Sequence, residues 1–237
     1  SSATPAGAAP RPLVLRMTML RAAGLAAGTG ALTLQALPTL QYGVTGGLTL
    51  GPGQVRLAYA DATLRSQGDI VLAGTGGADA QGDLSLVASR LTAATAAVQS
   101  LTASAGTLSI EGELAARSLG ERVGQGADVS FSARRIEQSG WIDLPGSKLS
   151  LLARGDGGAE PALRFGAGSL SSVAGFSVQA TEGFIAYGSA GSLSARAETG
   201  AIAVLGTLDA SAARRADGSA GQGDAGSITL AAAGAGG

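Results

Sequence analysis

Apolar and polar positions alternate along short stretches of this chain, and one seven-residue phrase carries the alternation. From Gly82 to Ala88 it reads GDLSLVA. Variants return as GTLSIEG at Gly106, ADVSFSA at Ala127, SKLSLLA at Ser147, GSLSSVA at Gly168, GSLSARA at Gly191 and GSITLAA at Gly226. Leu84, Leu86 and Ala88 point one way while Ser85 and Val87 point the other, and Val129, Phe131 and Ala133 alternate likewise with Ser130 and Ser132. A period of two marks a strand with one buried face. The third inward position is small at Gly112, Ala153, Ala197, Gly206 and Ala232, which predicts a corner where the interior narrows.

Aligned on their first aliphatic residue, Leu108, Val129, Leu149, Leu170 and Leu193 stand 21, 20, 21 and 23 residues apart. A period of this size signals a solenoid, propeller or array. Three strands of ~4–5 residues with three short turns fill it. The strands needed between the phrases are read at RRIEQSG, GWIDLPG, GFSVQAT and GFIAYGS, each bounded by Gly or Pro. The reading is all-β: a parallel β-helix of about ten rungs, spanning 13–237 and plainest over 41–237, with 1–12 as a disordered lead or linker. The polar run DASAARRADGSAGQGDAG is expected to project as a loop.

Rival folds fit less well. Helix is disfavoured because Gly recurs inside each candidate segment at about 1 kcal/mol relative to Ala. In ASRLTAATAAVQSLTAS the β-branched Thr92, Thr95 and Thr102 favour strands around Leu91 and Val98. A leucine-rich horseshoe needs an Asn or Cys that the chain lacks. With aromatics at 3%, a sandwich core of broad side chains is hard to build.

Composition narrows the chemistry. Sixteen basic residues balance 17 acidic ones and lie scattered, so no footprint for nucleic acid is present. Cys and His are both absent, which removes disulfides, thiolate metal sites, the usual nucleophilic triads and the commonest zinc ligand. Arg outnumbers Lys fifteen to one, which reads as coding bias. Basic residues precede a small apolar run in RPLVLRMTMLRAAGLAAGTGALTLQA, as in a secretory signal, but Arg16, Arg21 and several Gly break it, and strand with turn is the simpler reading.

Four stretches invite a functional reading. Glu111 and Glu113 share one strand face, as an acid and base pair would, although two solvated carboxylates explain them as well. GQGDAG at Gly221–Gly226 satisfies a dinucleotide fingerprint in letters, yet a polar loop precedes it and a strand follows, so it reads as a turn. GTGGADAQGD does not keep the Asp spacing of a calcium-binding repeat, and no metal or cofactor is expected. Arg154, Gly155 and Asp156 form an RGD tripeptide after a strand, a candidate receptor-binding loop. Trp141 reads as edge packing.

Taken together, IEQSGWIDLPGSKLSLLARGD, RFGAGSLSSVAG and LGTLDASAARRADGSAGQGDAGSITLAA resemble the β-helical body of filamentous haemagglutinin-like exoproteins of Gram-negative bacteria, best from about Asp128 to Ala233. The resemblance implies a right-handed parallel β-helix, two-partner secretion through an outer-membrane transporter, and display at the cell surface as an adhesin shaft. It implies as partners a host-cell or matrix receptor, a glycan or other bacteria. The Asn-rich motifs of the family's secretion domain have no counterpart here, which points to the shaft. No enzymatic activity is expected; the alternative is a polysaccharide-active β-helix lyase or hydrolase.

Overall fold

A computed structural model describes residues 13–17, 31–36, 47–57, 59–112, 124–155, 157–158, 160–181, 184–215, 217–219 and 221–233. The expectation for 1–12 lies outside the described residues. Twenty-one strands and no helix are present among those described. The Ala-rich run tested above for helix forms strands beginning at Arg90 and Val98, as β-branching dictates.

Nineteen of the strands fall into three columns of parallel pairs; the other two form a hairpin. The first holds β4 (Gly53–Leu57), β7 (Thr75–Ala80), the leading halves of β10 (Val98–Gly112) and β11 (Asp128–Gln138), then β13 (Lys148–Ala153), β18 (Ser192–Ala197) and β21 (Ser227–Ala232). The second holds β1 (Leu13–Met17), β2 (Ala31–Ala36), β5 (Asp61–Ser66), β8 (Asp83–Ala88), the trailing halves of β10 and β11, β14 (Leu163–Phe165) and β19 (Ile202–Val204). In the third, β3 (Leu48–Leu50), β6 (Asp69–Leu72), β9 (Arg90–Ala93), β12 (Trp141–Asp143), β15 (Leu170–Ser172) and β20 (Thr207–Asp209) pair in that order. From β4 onward the chain visits first, second and third column in turn. Among the described residues no third-column strand stands between Gly112 and Asp128, and β9 pairs β12 directly while β10 and β11 intervene elsewhere.

Inward residues meet their equivalents in register. Leu101, Phe131, Leu151 and Ala195 form one ladder, and Ala80, Ala103, Ala133, Ala153, Ala197 and Ala232 form another at the ends of the first-column strands. The small third position is thus real in that column. Gly112 pairs Ala88 in the second, while Gly206 falls between strands. One continuous buried cluster runs from Leu48 to Ala197. Each fully buried Leu or Phe in it contributes roughly 1.5–3 kcal/mol. The cover fails at the last level, where Ile228 and Leu230 of β21 are 41% and 46% exposed.

Two expectations change. The repeated phrase does not mark one position per circuit: Val129, Leu149, Leu193 and Ile228 stack in the first column, Leu84 and Leu108 in the second, and Leu170 lies in the third. Each column asks the same thing of a strand, a small turn residue and then alternating inward aliphatics, so one phrase serves all three. GFSVQAT and GFIAYGS supply no column strand. They form β16 (Phe176–Thr181) and β17 (Phe184–Gly188), an antiparallel hairpin, because a short Gly-bearing link folds two strands back on each other where a parallel pair needs a long crossover. The longest column holds eight strands among the described residues.

Candidate functional site

From β4 onward, connections between columns are mostly a few residues long, and the exceptions share a location. The segment 113–127 leads into the first column at β11; the hairpin segment 173–191 leads into it at β18; the loop 210–226 leads into it at β21. On the other edge of the same column, 154–162 leads out of β13. Over the same part of the chain, links from the second column to the third, such as 139–140 and 205–206, stay short. From β4 onward, long connections therefore flank one column and spare the corner opposite.

The hairpin and the last loop are fastened to each other and to the stack. The Ala190 N–H donates to the Asp224 carbonyl at 2.9 Å, and the Asp224 N–H donates to Ser189 Oγ at 3.1 Å. Gly175 donates to the Ser211 carbonyl at 2.8 Å. The loop is further shaped by Asp217, which accepts from the Ser219 N–H at 2.9 Å and its hydroxyl at 2.6 Å. Those bonds hold the Asp217 carboxyl below its ordinary 3.8, with Arg215 adding a smaller attraction.

Between these flanks the outer face of the first column is floored by hydroxyls. Gly77, Ser100, Ser130, Ser150, Ser194 and Thr229 lie in unbroken register across six strands. A Cβ on Gly77 would run into the Ser100 carbonyl, so the floor stays low there. A groove of about 640 Å³ lies over Gln54, Gly76, Val98, Ser100, Ser130 and Ser150, and another of about 510 Å³ over Gly146, Ser192, Gly226 and Ser227. They meet at Lys148, whose ammonium lies 3.2 Å from the Asp128 carboxylate.

Of the RGD tripeptide, Arg154 and Gly155 are described and Asp156 is not. The Arg154 N–H donates to the Ala133 carbonyl at 2.9 Å and the Gly155 N–H to the Arg134 carbonyl at 2.7 Å, while Thr199 Oγ1 donates to the Arg154 carbonyl at 2.8 Å. The first two residues of the tripeptide are a fixed corner. Gly155 has a φ of +77°, and a Cβ there would strike Thr199. Its identity has a structural cause, independent of any receptor. Glu111 is exposed at the end of β10 beside Val87 of β8, and Glu113 lies outside the described residues. Gly221, Gly223 and Gly226 pack closely on Ala213, Gly188 and Gly191 and lead into β21, with no helix after them. Thr75–Ala80 of GTGGADAQGD is strand β7.

Trp141 is 38% exposed on the outer face of the third column, in register with Leu170. On the same face Arg90, only 2% exposed, lies between Asp69 at 2.5 Å and Asp143 at 3.5 Å. This ion group belongs to the packing of β6, β9 and β12.

The hydroxyl floor was missed in the sequence reading. Its signal stood inside the repeated phrase, as the Ser or Thr following the first aliphatic residue in VSF, LSL, LSA and ITL. No protein-family model, curated protein or solved structure matches the chain.

Proposed function

We propose that the chain is a structural and adhesive segment of a secreted bacterial exoprotein, wound as a right-handed parallel β-helix and holding recognition surfaces away from the cell. The cyclic visiting of three parallel columns supports the winding. The observation that carries the adhesive reading is the placement, from β4 onward, of every long connection on the two edges of the first column. Binding residues gather on loops held by a rigid scaffold, and here the scaffold is regular while one side is elaborated. Export by a two-partner transporter, and host cells, matrix, glycan or other bacteria as partners, follow the filamentous haemagglutinin resemblance.

The alternative, a polysaccharide lyase or hydrolase, calls for acids gathered in a groove. The grooves of the first column offer Asp128, already engaged by Lys148. Attachment without cleavage fits that chemistry better. Beads coated with the full chain should attach to cultured epithelial cells or immobilised matrix well above beads coated with albumin. Replacing 176–188 by a short Gly-Ser link should reduce attachment severalfold. Attachment no better than albumin would end the adhesive reading.

A further inference from the structure

We infer that the hydroxyl floor of the first column binds a neutral, linear polysaccharide lying across the strands, along the direction of stacking. The inference rests on the adhesive reading and names its ligand. Three features point to this class of partner.

The first is spacing. Ser100, Ser130, Ser150, Ser194 and Thr229 each place a group that both donates and accepts at successive intervals of ~4.8 Å. From Gly53 to Ser227 the grooved face spans seven strands, roughly 29 Å. A polymer that repeats its own hydroxyls at about the length of one sugar ring can satisfy such a row. A single compact ligand would leave most of it unused.

The second is charge. Lys148 and Asp128 neutralise each other where the two grooves meet, and no other charged side chain lines either one. A sulfated or uronic polymer would call for a cluster of Arg or Lys there. The third is shape and polarity. The floor is built of Gly and Ser, the base of the hairpin stands beside it with Phe176 against Gly146, and Val98 is 48% exposed. Val98 offers an apolar contact for the C–H face of a sugar ring, and the low floor admits the chain.

The test is affinity electrophoresis of the full chain in native gels containing hydroxyethyl cellulose, dextran or polygalacturonate. Retardation is expected in at least one neutral gel and not in polygalacturonate. The floor variant Ser130→Trp/Ser150→Trp should lose it, whereas Ser85→Trp/Ser109→Trp, on the outer face of the second column, should keep it. If the bulky floor variant fails to fold by circular dichroism, Ser130→Ala/Ser150→Ala preserves the shape and should weaken binding about tenfold. No retardation in either neutral gel, equal retardation of the floor variants, or stronger retardation in polygalacturonate would overturn the inference. The bead assay separates the two readings: beads that attach while the neutral gels show nothing leave the adhesive role standing and remove the polysaccharide.

Discussion

Arg90 and Asp69 face each other across β9 and β6, 2.5 Å apart, with the guanidinium almost entirely covered. Asp143 approaches the same cation from β12, the strand that takes the next place in the third column. Removing the cation strands two partly buried carboxylates. Arg90→Ala should cost about 3–5 kcal/mol, read from urea unfolding. A loss under 1 kcal/mol would mean that these charges are solvated.

Phe131 stands between Leu101 and Leu151 in an inward ladder of the first column and is 1% exposed. Phe131→Ala should destabilise by about 3–5 kcal/mol. Ala133, two residues on, lies between Ala103 and Ala153 where the interior narrows. Ala133→Leu should cost about 1–3 kcal/mol by crowding. Thermal or urea melts of both variants check the two, and a neutral Ala133→Leu would show that the corner is roomier than the ladder implies.

Ala96, Gly126 and Gly146 occupy equivalent places two residues ahead of Val98, Asp128 and Lys148, which are paired in register. All three are left-handed, with φ of 55°, 68° and 58°. Ala96 is the non-glycine among them and bears the steric cost of its Cβ. Ala96→Gly should raise stability by about 0.5–1 kcal/mol, or about 1–3 °C in Tm. A lower Tm would refute the equivalence of the three corners.

Gly155→Ala should destabilise by more than about 1 kcal/mol, since the new Cβ meets Thr199 at a positive φ. Arg154→Ala should leave the melt within about 0.5 kcal/mol, because its bonds to the stack run through the backbone. Attachment lost in Arg154→Ala at unchanged Tm would assign the tripeptide to a receptor; attachment lost only in Gly155→Ala would assign it to the corner.

The Asp217 carboxylate favours its loop only while ionised. With its folded value depressed, the contribution is present above the ordinary 3.8 and disappears as pH falls through the lower, folded value. An NMR titration should therefore place the Asp217 midpoint below 3.8, with the Ser219 amide shift following the same midpoint as its bond to the carboxylate is lost. A midpoint at or above 3.8 would contradict the two Ser219 bonds.

Alternation and small corner residues made the strands legible: Leu84, Leu86 and Ala88 declare a buried face by themselves. Leu193 and Ile202, nine residues apart, lie in different columns, as do Ile70 and Leu84. Column membership was not legible, because Leu108, Val129 and Leu170 sit in the same phrase yet in three different columns. Phe176–Thr181 carries strand propensity without saying which strand will pair with it, so the hairpin was invisible. The hydroxyl floor needed register, which places Ser130 beside Ser100 and Ser150, residues 30 and 20 positions away.

From β4 onward, gathering the long connections on the two borders of a single column separates chain whose lengths are fixed by neighbours from chain whose lengths are free. Loop closure grows only slowly with added residues, so a longer hairpin before Ser192 or a longer excursion before Ser227 would leave Leu149, Leu193 and Ile228 in line. Such a body can change the surface it presents by editing two seams, with its ladders untouched.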